Sequence, residues 1–319
     1  MIPFLTQPSL HLGPLTIHAF GVIVAVAVLA GLSLGARRFG QMGLDPTMGE
    51  RLAWWTIIGG FLGAHLFSVA FYFPNKIREN PLVLLKLWED ISSFGSILGG
   101  ALGIWLFLRL RAPTTDVPTR WAYVDVVAYA FPVSLMIGRL ACTLAHDHPG
   151  TVTRSPLGVS LESAAAREYI GRVYAAAGRA ADLPAESGLA RLAFHDLGWY
   201  EFLYLALFVV PVVLWLARQP RTPGTFVAAF IALYMPVRFL LDFLRVSDMR
   251  YGPLTPAQWT AAGALFVLPW LLGRIRQNRE TARLIRPAGS PPRPLRPETA
   301  DGSRPGEGRG IEHEDAGKL

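Results

Sequence analysis

The sequence predicts an all-α, polytopic membrane protein with about seven transmembrane helices. Three observations point there. The 319-residue chain is 52% hydrophobic and only 17% charged, a composition foreign to soluble domains. Its apolar residues fall in stretches close to the ~20 residues that a helix needs to cross a bilayer. Its basic residues gather in the short connections of one side. Strands span lipid only as closed barrels, and these runs are too long and continuous for barrel strands.

The first span, about 16–36, follows "MIPFLTQPSLHLGPLTIH". That segment has no basic region, so the run reads as a span rather than a cleaved leader. The second and third, about 52–73 and 91–110, carry "GGFLGA" and "GSILGGALG", small-residue spacing that lets helix backbones approach closely. The fourth is about 121–145, the fifth 200–217, the sixth 224–245 and the seventh 257–273. Between the fourth and fifth lies the largest extramembrane piece, 146–199. Its middle, "SLESAAAREYIGRVYAAAGRAA", sets alanine, charge and tyrosine at helical spacing and predicts a surface or interfacial helix.

Orientation follows from the arginines. Arg37, Arg38 and Arg51, then Arg109, Arg111 and Arg120, then Arg218 and Arg221, then the run from Arg274 to Arg286 share one side. That side is the cytoplasm, which places the N-terminus outside, the C-terminus inside and 146–199 on the outer face. The net charge of +7 is then explained by basic inner loops on an anionic leaflet and needs no nucleic acid. Two regions result. Residues 1–274 form the membrane domain, and 275–319, rich in Pro, Gly and Arg, are expected to be a disordered cytoplasmic tail. The single cysteine forms no internal disulfide. The absence of Walker A, GxGxxG and CxxC patterns argues against ATP-driven and dinucleotide chemistry.

Charges inside spans are costly and usually face a polar cavity. In "LYMPVRFLLDFLR", Tyr234, Arg238, Asp242 and Arg245 are spaced four, four and three apart and share a helical face. They form either an ion-pair ladder or a positive stripe that binds phosphate, which guanidinium does bidentately. Arg139 in "GRLACTLAHDHPG" could add a contact from a neighbouring helix, or merely snorkel. Cys142 is expected to be a packing residue rather than a nucleophile. His146 and His148 read as a general base or interfacial hydrogen bonders, because a Pro/Gly turn offers no evident further metal ligands. "FHDLGWYEFLY" brings His195, Tyr200 and Glu201 to the start of the fifth span; Glu201 is expected to pair with an arginine. His65, inside the second span, reads as a helix–helix hydrogen bonder.

The order and spacing of these blocks resemble the bacterial prolipoprotein diacylglyceryl transferase family over roughly residues 10–275. "GPLTIHAFG", "FLGAHLFSVAFY", "LWEDISSFGSILGG", "GRLACTLAHD", "HDLGWYE" and "YMPVRFLLDFLR" are each similar to a family segment. The resemblance implies a multi-pass protein of the bacterial inner membrane whose 146–199 segment is periplasmic. It implies transfer of a diacylglyceryl group from phosphatidylglycerol to the lipobox cysteine of a prolipoprotein, with a thioether formed and glycerol 1-phosphate released. Arg139, Arg238 and Arg245 match family positions for headgroup binding or catalysis, and Tyr234, Glu201 and Asp242 match supporting ones. His195 and Tyr200 fall within a matched segment. The partners implied are phosphatidylglycerol, prolipoprotein signal peptides and the bilayer, with no nucleic acid, no cofactor and no metal; a monomer is expected. The sequence departs from the pattern at Phe20, where the family has tyrosine, at Cys142, where it has asparagine, and at Gly95, aligned with a family histidine. The expectation is that His146 or His148 supplies the base that Gly95 cannot. The alternatives are a related transferase with another phospholipid or acceptor, and a non-enzymatic lipid- or lipoprotein-binding protein.

Overall fold

The computed structural model describes residues 1–277 apart from Pro14, residues 88–90 and Ser247. The tail expected to be disordered therefore lies, from residue 278 on, outside the described residues. A short hairpin of β1 (Ser9–Leu12) and β2 (Leu15–His18) leads into α1 (Ala19–Gln41) and α2 (Pro46–Phe71). Asp45 caps α2 by accepting the Thr47 N–H at 2.9 Å, and Pro46 sits in the first turn, where its missing N–H costs nothing. A short α3 (Pro74–Glu79) and a 3₁₀ turn (Pro81–Leu85) connect to α4 (Ser93–Leu110), capped by Ser92. The long α5 (Val117–Ala145) is capped by Asp116.

The chain then leaves the helical layer. β3 (Pro149–Thr153), β4 (Val159–Ser160) and β5 (Ala193–Asp196) form a small antiparallel sheet in the order β3-β5-β4. The expected surface helix is present as α6 (Ala164–Ala176), which packs Ile170 and Tyr174 on the sheet residues Val159 and Phe194. A single turn, α7 (Glu186–Leu189), precedes β5. Next come α8 (Leu197–Tyr204), a π-helical segment (Leu205–Val209) and α9 (Val210–Leu216), which together run as one apolar length. Pro211 accounts for the π segment, because its ring and absent N–H disrupt the regular ladder in the preceding turn. α10 (Thr225–Leu241), a 3₁₀ turn (Asp242–Leu244) and α11 (Pro256–Gln277) complete the described chain.

Six helical lengths among the described residues are long and apolar enough to cross a membrane: α1, α2, α4, α5, α8 to α9, and α10 with its 3₁₀ turn. The chain is thus a polytopic, mostly helical membrane protein. The seventh expected span coincides with α11, which has 22 residues but is not among the six. The expectation of a purely helical protein needs one correction: two small sheets are built from strands of two to five residues. Such strands are too short to show a period-2 pattern.

Packing matches the small-residue reading. α2 and α4 cross at Gly59, Gly63, Gly95, Gly99 and Gly103, where a Cβ on Gly99 would stand 2.2 Å from the Gly59 carbonyl oxygen. α1 packs on α5, and α10 on α11 and α5. Asp125 caps α10 from α5: its Oδ1 accepts the Phe226 and Val227 N–H groups at 2.8 and 3.1 Å. Those donors have no intrahelical partner and carry the positive helix end, which suits an acceptor oxygen there. His65 bonds the Val83 carbonyl of the 3₁₀ turn at 2.9 Å, a backbone group outside the spanning helices.

Candidate active site

The ends of α5, α8 and α10 converge on one buried carboxylate. Glu201, one turn into α8, lies 2.9 Å by Oε2 from Arg139 Nε of α5 and 3.2 Å by Oε1 from Arg238 Nη1 of α10. All three side chains are at most 2% exposed. Tyr234, one turn before Arg238, accepts from Arg139 Nη2 at 3.2 Å and donates a short bond to Glu201. Arg238 continues to Asp242 at 2.9 Å, so the i, i+4 ladder read from sequence exists. Asp242 in turn accepts a short hydrogen bond from the Thr255 hydroxyl. Two guanidiniums on one carboxylate are tolerable in so dry a place only because every charge faces an opposite one.

Arg245 stands at the mouth of this chain of charges. It is 14% exposed and pairs with Asp248 at 2.9 Å, while Asp242 is 3.9 Å away. Burial pushes the Asp248 carboxyl up, and Arg245 opposes that shift. A backbone bridge between Gly150 and Arg245 ties the end of α10 to the start of β3. The glycine is required there: a Cβ on Gly150 would meet the Leu244 carbonyl at 2.9 Å and His195 Cβ at 2.8 Å.

The two candidate histidines take different places. His146 closes α5 in the left-handed region, φ 51°, a conformation that costs a non-glycine residue about 1 kcal/mol. Its Nδ1 meets Asp196 at 2.7 Å and its Nε2 the Leu5 carbonyl at 3.1 Å, and Phe4 stacks on the ring at 4.5 Å. Both ring nitrogens are occupied by oxygen partners of the protein, so neither is open to a substrate. Asp196 also caps α8 by accepting the Trp199 N–H at 3.0 Å. His146 is thus a tie between the N-terminal segment, the sheet and α8.

His148 faces the arginines. Arg139 Nη1 donates to its Nε2 at 3.1 Å, and its Nδ1 makes a short bond with Asp147. Arginine only donates, so Nε2 accepts and Nδ1 carries the hydrogen given to Asp147. Burial works to raise the Asp147 carboxyl, but His148 and then Arg139 hold it below the usual carboxylate range. The arrangement is an Asp–His pair whose Nε2 lone pair points at the arginine cluster.

His195 and Tyr200 bond each other at 2.7 Å. β5 alternates, so Asp196 turns inward and the half-buried His195 turns away from it, with burial lowering the His195 pKa. Neither residue has a hydrogen bond or ion pair to the arginine cluster among the described contacts. Cys142 Sγ, an Asp147 carboxylate oxygen and a His148 ring nitrogen lie within 4.8 Å of one another. Arg139 Nη1 is already 3.9 Å from the sulfur and 3.1 Å from the imidazole, and that fixed positive charge opposes a metal ion.

The profile of the prolipoprotein diacylglyceryl transferase family matches residues 7–273. The chain belongs to that family. Among its relatives named phosphatidylglycerol–prolipoprotein diacylglyceryl transferase, the one from Xanthomonas oryzae pv. oryzae is 31% identical over 82% of this chain and 86% of its own length. Those of Synechococcus elongatus and Chromohalobacter salexigens are 28% and 26% identical, covering 87% and 86% of this chain and 90% and 91% of their own.

In this member of the diacylglyceryl transferase family, position 95 has no room for a side chain. A Cβ there would lie 2.4 Å from the Gly63 carbonyl oxygen and 2.5 Å from Phe67 Cβ. The neighbouring Phe94 points into the site instead, with the Arg238 guanidinium 5.2 Å above its ring. The place beside Arg238 is therefore occupied by a phenyl ring, a cation–π partner with no proton to exchange. Phe20 lies in the first turn of α1. Asp147, Asp196, Phe94 and Asp248 carry no role in the sequence reading; only Asp196 had a legible signal, an acid immediately before an apolar helix.

Proposed function

We propose that this chain transfers the diacylglyceryl group of phosphatidylglycerol to the lipobox cysteine of a prolipoprotein, the first step of lipoprotein maturation. The reading rests on family membership together with the convergence of Arg139 and Arg238 on Glu201. The acceptor sulfur attacks the glyceryl methylene carbon, a C–S bond forms, the C–O bond to phosphate breaks, and glycerol 1-phosphate leaves with the electron pair. A departing phosphate ester needs fixed positive charge in a water-poor place. Arg139, Arg238 and Arg245 supply it, with Tyr234, Glu201 and Asp242 holding the guanidiniums in position. The acceptor thiol has an ordinary pKa of ~8.5 and must lose its proton to react. His148 Nε2 takes that proton once substrate draws Arg139 away from it, and Asp147 fixes the imidazole's tautomer. His146 is the less suited of the two, because both its nitrogens are engaged. His195 and Tyr200 serve the acceptor peptide's side of the site.

The membrane arrangement belongs to the same proposal. α11 is a seventh span, the N-terminus faces the periplasm and the C-terminus the cytoplasm of a bacterial inner membrane. The 146–199 segment is then a periplasmic cap, residues 1–274 are the catalytic domain, and the two substrates are membrane-borne. The basic connections cited above support this orientation.

The test is incubation of purified protein in detergent with phosphatidylglycerol and a lipobox peptide, with the thioether read by mass spectrometry. Product is expected from the wild type, none from Arg139→Ala, and a loss of about 10²–10⁴-fold from His148→Ala. An active His148→Ala would refute the base assignment. Phe94 favours one second reading, a lipid-binding protein without turnover, because the phenyl ring beside Arg238 accepts no proton. Phosphatidylglycerol binding without any product would establish that reading instead.

A further inference from the structure

We propose that the cleft between the far ends of α2 and α4 binds a second anionic phospholipid, separate from the substrate and in the opposite leaflet. Phe94 opens α4 beside Arg238, whereas Arg111 closes it. At 1.5 Å per residue the two ends are roughly 25 Å apart, so one headgroup cannot serve both.

The cleft has a volume of about 450 Å³ and is lined by Arg51, Arg111, Asp45, Thr47, Trp55 and Phe107 among others. Its charge is suited to a phosphodiester. Asp45, the one carboxylate among the described lining residues, already caps α2 through the Thr47 N–H. Two guanidiniums against that carboxylate leave one positive charge, which one phosphodiester neutralises. Arg51 on α2 and Arg111 at the C-terminal cap of α4 line the same cleft, and each guanidinium offers a fork that fits phosphate oxygens.

The wall below is apolar. The half-buried Trp55 packs over the core ring of Phe107 with centroids 6.2 Å apart, and its open face suits an acyl chain and gives nothing to a free phosphate. Trp54 and Trp105 on the same helices are each 55% exposed, and Arg109 lies 6.0 Å from the Trp105 ring. Such aromatics mark the level at which headgroups meet chains. Basic pockets between spanning helices are known headgroup seats in general. A cavity beside Arg38 and Asp125 has only about 10 Å³, the room of a single water.

The test uses the full chain in nanodiscs containing a photoactivatable anionic phospholipid, with adducts mapped by peptide mass spectrometry. Labelling is expected on residues 45–55 and 104–111. It should fall about thirtyfold in the Arg51→Gln/Arg111→Gln variant, the ratio for two guanidinium–phosphate contacts near a membrane surface. A zwitterionic probe with the same chains should label equally weakly. Both arginines are exposed, so the variant retains the fold, and its transfer activity should stay within about twofold of wild type. Equal labelling by the zwitterionic probe, or labelling unchanged in the double variant, overturns the proposal. Full protection by inorganic phosphate overturns it too, since the seat would then be an ion site. The readout is confined to the far ends of α2 and α4, so it is independent of whether diacylglyceryl transfer occurs.

Discussion

Glu201 is the residue on which the site's charges balance. Arg139 and Arg238 both lean on it, and all three are removed from water. Glu201→Gln keeps the shape but leaves the buried Arg139 without a counter-charge and Arg238 with Asp242 alone. A loss of about 3–5 kcal/mol is expected, read as a lower unfolding temperature in detergent together with lost transfer. Asp147 tests the proton-handling half. Its folded pKa is depressed by His148 and Arg139 against burial. It therefore contributes stability that is complete above the ordinary carboxylate pKa of ~3.9 and is lost as pH falls through the lower folded value. In Asp147→Asn that acid-side loss should vanish from the stability–pH profile. Turnover should fall at neutral pH, because the His148 tautomer is no longer fixed. An Asp147→Asn profile that overlays the wild type, with full turnover, would show that the acid does neither.

At the scale of elements, the α2–α4 crossing decides what α4 can present to the site. The glycines bring the backbones so close that position 95 has no room for a side chain, while position 94 points at Arg238. Gly95→His is expected to abolish folded protein, because its Cβ would collide with the backbone of α2. Phe94→His should fold with a loss of about 1–3 kcal/mol from the buried ring and its cation–π contact. Placed in a His148→Ala background, it should restore part of the lost turnover by bringing an imidazole to the arginines. Monodisperse yield on gel filtration and the thioether assay read both outcomes. A folded Gly95→His protein would mean that the helices can part, contrary to this packing.

At the scale of the whole molecule, the N-terminal segment, the sheet and two helices are bound together through His146. Ile2 pairs with Val159, Phe4 stacks on His146, and the Leu5 carbonyl takes its Nε2. Removal of residues 2–5 should accelerate amide exchange in 146–160 and reduce transfer severalfold, while the spanning helices remain protected. Uniform exchange across the whole chain would instead show that the segment supports the entire fold. How much of this was legible depends on range. The apolar runs and the Tyr234–Arg238–Asp242–Arg245 ladder were readable because helical periodicity is local. The double role of Asp196, at once cap of α8 and partner of His146 fifty residues earlier, was not, because nothing local records that contact.

The sequence by itself determined that the chain crosses a membrane repeatedly and that arginines with matching acids sit near the helix ends. Lipid demands long apolar runs and punishes unpaired charge, so both features must be written into local composition. Only the tertiary structure decided which histidine faces the arginines and which residue of "SSFGS" enters the site. His146 and His148 are two residues apart and chemically alike. A left-handed turn held by Asp196 and Leu5 sends one ring toward the N-terminal segment and the other toward Arg139. That choice is made by contacts distant in the chain.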